Sequence, residues 1–274
     1  MSESQALVTD TFRQVRSDLL SKVAEFQTLL TPYGMRGDRF AQIVLDCLGR
    51  TPALLQCEPK SIIRAAYYAA EIGLELGGPL GDAYLVPFWN EKKKRKEAQC
   101  IPGYRGLIHV AMAAEPRIVK FGAEVVYERD MFALKYGAHP DLEHAPVWGD
   151  AGRAIGVYAI SFLNVGLPDL VPQFAHMPIA EVDAIEAKAI GKMKEQWMKD
   201  QSPWTTARPE MRKKTGIRRL VKMMNLRGTR AALALDLDSR EYAEQPSART
   251  ARSEDLKAKL GGVPSEVVEG EFDE

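Results

Sequence analysis

The order of local sequence patterns predicts an α+β protein with a largely antiparallel sheet flanked by helices. Residues 9–76 place apolar side chains at helical spacing, residues 81–176 mostly alternate as strands do, and residues 179–226 return to helical spacing. Helices that are segregated from a run of strands are typical of this class rather than of a doubly wound sheet. N-terminal helices, a C-terminal basic helix and a flexible acidic tail complete the predicted architecture.

Three amphipathic helices are predicted before the strands. The first covers residues 9–30 and ends at the turn sequence TPYG. Asp38 is predicted to cap a second helix that runs to Leu48, because an Asp side chain accepts hydrogen bonds from the first turn. The third helix covers residues 61–76, and the sequence GGP after it ends the helical pattern.

The strand region is predicted to contain antiparallel strands separated by turns, with a short helix at residues 106–114. The strands are predicted at residues 82–89, 98–101, 118–127, 131–136, 154–163 and 170–176. Residues 91–97 are predicted to be a turn, and the segment HPDLEHAP is predicted to be a polar loop between strands. A further helix over residues 179–190 follows the last strand.

The basic helix, residues 210–226, is the first candidate for contact with a polyanion. Lys214, Arg218 and Lys222 are four residues apart, so they form one row along the helix, beside the neighbouring cations Lys213 and Arg219. No carboxylate follows Glu210 within this stretch, so no intrahelical ion pair neutralises the row. A solvated basic face is the alternative interpretation.

Gly216 interrupts the helical pattern of this basic segment. Glycine costs a helix about 1 kcal/mol relative to alanine. A kink in the helix or a close approach of a polyanionic ligand to its backbone is therefore considered at this position.

Charge is distributed unevenly although the totals balance at 37 basic and 37 acidic residues. Residues 191–230 hold twelve Lys or Arg and three acids, whereas residues 231–274 hold five basic residues and eleven acids. This asymmetry is expected of a nucleic-acid binder with a solvated end. The predicted domains are a DNA-binding domain at residues 1–235 and a flexible acidic tail at residues 236–274.

The densest charge run gives the second candidate for DNA contact. Its members are Lys92, Lys93, Lys94, Arg95 and Lys96. The run lies between two predicted strands, so it is expected at the tip of a hairpin, where it contacts the DNA backbone. A solvated loop that protects the sheet edge is the alternative.

Two aromatic positions are further candidates for DNA contact. Tyr104 and Arg105 lie in the sequence GYRG at a strand-to-helix junction, which suits phosphate contact, although a tight turn could equally pack Tyr104 into the core. Trp204, before the basic helix, is either a platform for base stacking or a core anchor, and Trp89 presents the same choice.

His139, Asp141, Glu143 and His144 raise a metal-site alternative, and with it a metal-dependent DNA nuclease. Their spacing matches no known ligand pattern, and a structural role is favoured. The sequence contains no GxxxxGK[ST] phosphate loop, nucleophile elbow or HExxH. The three cysteines, Cys47, Cys57 and Cys100, form no CxxC and are expected to be reduced thiols. Two of them lie in or near helical patterns and are expected to be small core residues.

Six strings in register carry a family resemblance. LGDAYLVPFWN, GYRGLIHVA, VVYERDMFAL with HAP after it, GVYAISFL, SPW and MRKKTGIRRLVK occur in this order between residues 76 and 226. Together they resemble the RecT family of phage and prophage single-strand annealing recombinases. The departure at Gly216, where a β-branched residue is more usual, leaves a straight basic helix in doubt.

The resemblance implies a non-catalytic protein that binds single-stranded DNA and anneals complementary strands without ATP. It further implies single strands and annealed duplex as ligands, assembly into rings or helical filaments, and contacts with an exonuclease and a host single-strand binding protein. No cofactor is expected, with a divalent ion left open as a modulator. The absence of a long apolar run predicts a cytoplasmic protein with no membrane contact.

Overall fold

The structure is a computed structural model that describes residues 3–77, 81–191, 193, 196–200, 202–224, 226 and 228–240. The N-terminal helices are α1 (Glu3–Ser21), α2 (Val23–Leu30), α3 (Gly37–Arg50) and α4 (Pro59–Glu71), with short 3₁₀ helices at Thr31–Tyr33 and Pro52–Gln56. The later helices are α5 (Tyr104–Ala114), α6 (Ile179–Gly191), α7 (Gln196–Asp200), α8 (Pro203–Thr206), α9 (Arg208–Met223) and α10 (Thr229–Arg240).

Two details of the N-terminal helices differ from prediction. The helix predicted over residues 9–30 is interrupted at Lys22, whose backbone N–H bonds to Leu19 three residues back. Helix α3 begins at Gly37 rather than after Asp38, because the Gln27 side chain accepts a hydrogen bond from the Gly37 N–H at 2.8 Å. Asp38 therefore lies in the first turn and does not cap the helix.

The strands form three separate antiparallel sheets. The main sheet has the order β3-β6-β7, built from Ile118–Tyr127, Ala154–Leu163 and Val171–Pro178. The cationic hairpin pairs β1 (Ala83–Asn90) with β2 (Arg95–Pro102), and a smaller hairpin pairs β4 (Met131–Lys135) with β5 (Asp141–Ala145). The mixed class with a largely antiparallel sheet flanked by helices is confirmed.

Strand β5 corrects the prediction of a loop at HPDLEHAP. Along β5 the exposed Asp141 and Glu143 alternate with the half-buried Leu142 and His144. The smaller hairpin packs its inner side against one face of the main sheet, where Phe132 stacks on Tyr158 with ring centroids 5.8 Å apart. Polar residues on the solvent side concealed the alternation in the sequence.

The other face of the main sheet is covered by α9. A side chain at Gly216 would place its Cβ 2.9 Å from Val157 Cγ1 of β6, so glycine allows the helix to lie close to the sheet. Helix α9 runs unbroken through this residue. The close approach at Gly216 is therefore made by β6 of the same chain, and the helix is not interrupted there.

Helix α10 continues past residue 236, where the acidic tail was predicted to begin. It extends to Arg240, its residues Ala231, Ala234 and Leu237 belong to the main hydrophobic core, and Asp238 is fully buried. The rest of the predicted tail, residues 241–274, lies outside the described residues. Cys47, Cys57 and Cys100 are all buried, so the third cysteine also lies in the core. None of the helices in the described part of the chain is long and apolar enough to cross a membrane.

Candidate nucleic-acid interface

Carboxylates from three neighbouring elements neutralise most of the cations on α9. Helix α6 supplies three of them, β3 supplies one and α10 supplies one. The pairs are Arg208 with Glu186 at 2.9 Å, Arg212 with Asp183 at 3.1 Å, Lys213 with Glu124 at 2.9 Å, Lys214 with Asp238 at 3.0 Å, Arg218 with Asp238 at 2.7 Å and Arg219 with Glu181 at 2.7 Å. The helix is thus held among other elements rather than presented as a bare basic surface.

The row Lys214, Arg218 and Lys222 was predicted to be unpaired, and the ion pairs with Asp238 show that this is wrong for the first two. The Asp238 carboxylate lies between Lys214 and Arg218, where the Lys214 side chain is only 8% exposed. The sequence of residues 210–226 contains no partner for these two cations, because Asp238 belongs to α10. Lys222 completes the row, is exposed, and has no ion pair within the described part of the chain. Partial desolvation and the neighbouring Arg218 lower the pKa of Lys222.

Lys213 and the start of α5 are brought together beside β3. Burial alone would lower the pKa of Lys213, but the hydrogen bond to Glu124 and the charge of that carboxylate outweigh it, and the pKa is raised. Tyr104 is close enough to contribute to this shift. Its ring is half-buried and packs against the main core, whereas Arg105 is exposed. Tyr104 therefore fits the interpretation as a core residue, whereas Arg105 remains exposed and fits the interpretation as a phosphate contact.

The cationic hairpin presents its five-residue run to solvent. Lys92, Lys93 and Lys94 form the tip, whereas Arg95 and Lys96 are the first residues of β2, and all five are exposed. The run lies at a hairpin end, as predicted, although the turn is shorter than residues 91–97.

Glu97 anchors the base of this run. Its side chain is 10% exposed and lies 2.8 Å from Lys93 Nζ and 3.1 Å from Arg95 Nη2. Burial alone would raise the pKa of Glu97, but hydrogen bonds from Lys93, Asn90 and Arg95 lower it to about 2. Lys94 pairs with Glu91 at 2.9 Å, and Lys96 bonds to Gln56. Lys92 has no ion pair among the described residues.

The tryptophans separate into buried and exposed positions. Trp204 is 2% exposed and belongs to a small cluster with Val125, Val157 and Met211, so the structure places it in the core. Trp89, at the end of β1, is 53% exposed. Sequence reasoning missed Trp148, which is 96% exposed in the loop after β5. Its position in the turn-rich sequence PVWGD was the available signal.

The four residues of the metal hypothesis do not converge. His144 is nearly buried, and its Nε2 lies 3.1 Å from Asp130 while its Nδ1 lies 3.2 Å from the Tyr158 hydroxyl. Backbone N–H groups of Val147 and Tyr127 donate to Asp130 and, with His144, lower the pKa of that carboxyl. Asp141 and Glu143 lie on the opposite side of β5. The described residues contain no cluster of three possible metal ligands.

Asp130, His144 and Tyr158 line an open cleft of about 720 Å³. The cleft lies between the main sheet and residues 146–152, and it is also lined by Glu124, which pairs with Lys213 and lies next to Tyr158 in the register of β3 and β6. The hydrogen bonds of Asp130 and His144 fix the loop that carries Trp148. Their arrangement therefore has a structural role, as the sequence favoured.

These features define an α+β protein that presents a cationic hairpin and holds its basic helix within the fold. The model of the RecT family matches residues 38–248. The chain is also 34% identical over 195 residues to Protein RecT of Escherichia coli (strain K12), covering 70% of this chain and 68% of that protein. The chain belongs to the RecT family. Membership supports a role in DNA recombination through single-strand annealing, and nothing favours the nuclease alternative.

Proposed function

We propose that the chain binds single-stranded DNA and anneals complementary strands without ATP and without catalysing a chemical step. The observation that carries the proposal is the exposed cationic run at the end of the β1–β2 hairpin, in a chain of the RecT family. An annealing protein must hold the phosphate backbone and leave base edges free, and exposed cations on a narrow hairpin suit that task.

The proposed phosphate contacts are made by the cations that the structure leaves exposed. These are Lys92, Lys93, Lys94, Arg95, Lys96, Arg105, Arg219 and Lys222. Lys213 lies at the edge of this group, where release from Glu124 would free it for a phosphate. Lys214 and Arg218 instead hold α9 against Asp238, because leaving that buried carboxylate unpaired would be costly.

The proposal extends to the setting in which the chain acts. Single strands and the annealed duplex are its ligands, and copies assemble with one another into a ring or a filament. An exonuclease and a host single-strand binding protein are its partners in the bacterial cytoplasm. These partners come from the family resemblance. Trp89, exposed beside the cationic run, is the candidate for base stacking, in the place first considered for Trp204.

The test measures binding to a labelled single strand over a series of salt concentrations. Each phosphate contact contributes about 0.7 to the slope of log affinity against log salt for single strands. The double variant Lys92→Ala/Lys94→Ala should therefore lower the slope by about 1.4. Arg13→Ala/Arg16→Ala, which removes two exposed cations from α1, is the matched control and should leave the slope unchanged.

Annealing of two complementary oligonucleotides is measured in the same buffers, without nucleotide and in EDTA. Annealed product under these conditions is the expected result. An unchanged salt slope in the hairpin variant would remove the hairpin from the interface. A requirement for ATP, or strands shortened on addition of a divalent ion, would overturn the proposed function itself.

A further inference from the structure

Trp148 is an apolar side chain held out from the surface by a fixed loop. Asp130 accepts a hydrogen bond from the Val147 N–H at 2.9 Å, and Arg129 Nη1 donates to the Asp150 carbonyl at 3.0 Å. The Arg129 N–H also bonds to Ala151 at 3.1 Å. A loop fixed on both sides of a 96% exposed tryptophan keeps that ring in water, although burial would favour it.

A second exposed apolar feature lies at the opposite end of the main sheet. The loop between β6 and β7, residues 164–170, exposes Val165, Leu167 and Leu170, and Leu167 is 62% exposed. Val119 is exposed close by on β3, since the Asn164 N–H bonds to the Arg117 carbonyl at 2.8 Å. A cluster of this kind indicates an interaction site. At the Trp148 end the neighbouring Val147 is also exposed, at 42%.

The two features cannot meet within one chain. Residues 146–152 adjoin the end of the sheet where Tyr127 pairs with Ala154, and residues 164–170 adjoin the end where Ile118 pairs with Leu163. Strands of this length separate the two ends by about 30 Å.

The charges at the two ends are complementary. At the Trp148 end, residues 124–130 and 143–153 contain five carboxylates and two arginines, and Lys213 pairs with one of these carboxylates, Glu124. At the other end, Arg117, Lys120 and Lys222 outnumber Glu115 and Asp169. Lys222 lies two residues before Met224, the residue that follows α9 and lines a small cavity with Ile118 and Leu163. An excess of carboxylates repels DNA, so the Trp148 end fits a protein surface better than a phosphate backbone.

We propose that the Trp148 loop of one copy binds the β6–β7 loop of the next copy, in a head-to-tail contact. A contact between two different surfaces of the same chain leaves one of each free at the ends, so it propagates into a closed ring or an open filament. The inference rests on the self-assembly named in the proposed function and assigns the two surfaces that carry it.

The experiment uses two full-length variants and exploits the asymmetry of the contact. Trp148→Asp removes one surface, Leu167→Asp/Leu170→Asp removes the other, and Leu20→Ser, an exposed residue of α1, is the control. Analytical ultracentrifugation should show assembly of the unmodified chain and of the control. Each of the two variants alone should sediment as a single chain. Their mixture should form dimers and nothing larger, because one intact contact remains.

Circular dichroism verifies that each variant is folded, and a crosslink keeps the test independent of that result. Oxidation of a mixture of Trp148→Cys and Leu167→Cys chains should give a covalent dimer, since the native cysteines are buried. Normal assembly of either aspartate variant, a monomeric unmodified chain, or no dimer in either mixture would each overturn the proposed contact. Salt-dependent binding to a short oligonucleotide should be unchanged in the same variants, so failure here is separable from failure of the proposed function.

Discussion

Asp238 of α10 lies 3.0 Å from Lys214 of α9, in a position that solvent does not reach. The same carboxylate pairs with Arg218, so one acid from the end of the described chain holds two cations of the basic helix. A buried ion pair of this kind is costly to break from one side, because the remaining charges lose both water and partner.

We therefore expect Asp238→Ala to lower the free energy of unfolding by about 3–5 kcal/mol. Glu181→Ala removes the partner of Arg219 on the same helix, but both of those side chains are exposed, so its cost should be about 1 kcal/mol or less. Urea denaturation followed by circular dichroism measures both. If the two variants lost the same free energy of unfolding, the burial of Asp238 would not strengthen its ion pairs.

Two truncations that differ by three residues test where the folded region ends. Removal of residues 241–274 leaves α10 intact and should preserve the unfolding transition. Removal of residues 238–274 also deletes Asp238 and should destabilise the protein by several kcal/mol, as removal of one partner from a buried pair does. Thermal unfolding of the two proteins, side by side, distinguishes a boundary after α10 from one at residue 236.

Gly216→Ala should destabilise the protein although alanine favours helix. The added Cβ would lie 2.9 Å from Val157 Cγ1, and overpacking of this kind typically costs about 1–3 kcal/mol. Gly49→Ala is the matched control, because Gly49 lies in α3 with no atom within 4 Å of the added Cβ. The free energy of unfolding of this control variant should rise by up to about 1 kcal/mol, since alanine favours helix over glycine. Stabilisation by both substitutions would mean that α9 does not approach β6 so closely.

Glu97 should make stability fall in acid. Its pKa is lowered from an ordinary value of 4.5 to about 2, so its contribution is complete above pH 4.5 and disappears as the pH falls toward 2. The linked change is on the order of 2–3 kcal/mol. Glu97→Gln should flatten this part of the profile, whereas Glu91→Gln, at the exposed partner of Lys94, should not. Unfolding free energies measured from pH 2 to pH 6 check the difference.

Two strands were predicted to the residue. Residues 118–127 and 154–163 are β3 and β6 as found, because both segments are rich in β-branched and aromatic side chains. Strand β5 was missed since Asp141 and Glu143 on its solvent side made the segment resemble a loop. The alternation was too short to detect, because β5 has only five residues and Leu142 is its one large aliphatic side chain.

The cationic site was predicted only in part, for a reason of tertiary structure. The exposure of residues 92–96 follows from their position between two strands, which the sequence shows directly. The burial of Lys214 could not be predicted in this way. Its partner Asp238 is 24 residues further along the chain and lies in a segment whose composition is acidic and typical of a solvated tail. Trp204 was ambiguous for the same reason, since its neighbours come from β3, β6 and α9.

The late position of Asp238 has a consequence for how the chain reaches its folded state. Synthesis proceeds from the N-terminus, so α9 leaves the ribosome before its partner on α10 exists. Until residue 238 emerges, Lys214 and Arg218 can be buried only at the cost of two uncompensated charges. Docking of α9 against the sheet is therefore a late event in biosynthesis, and a chain that terminates before α10 would keep its basic helix solvated and its core incomplete.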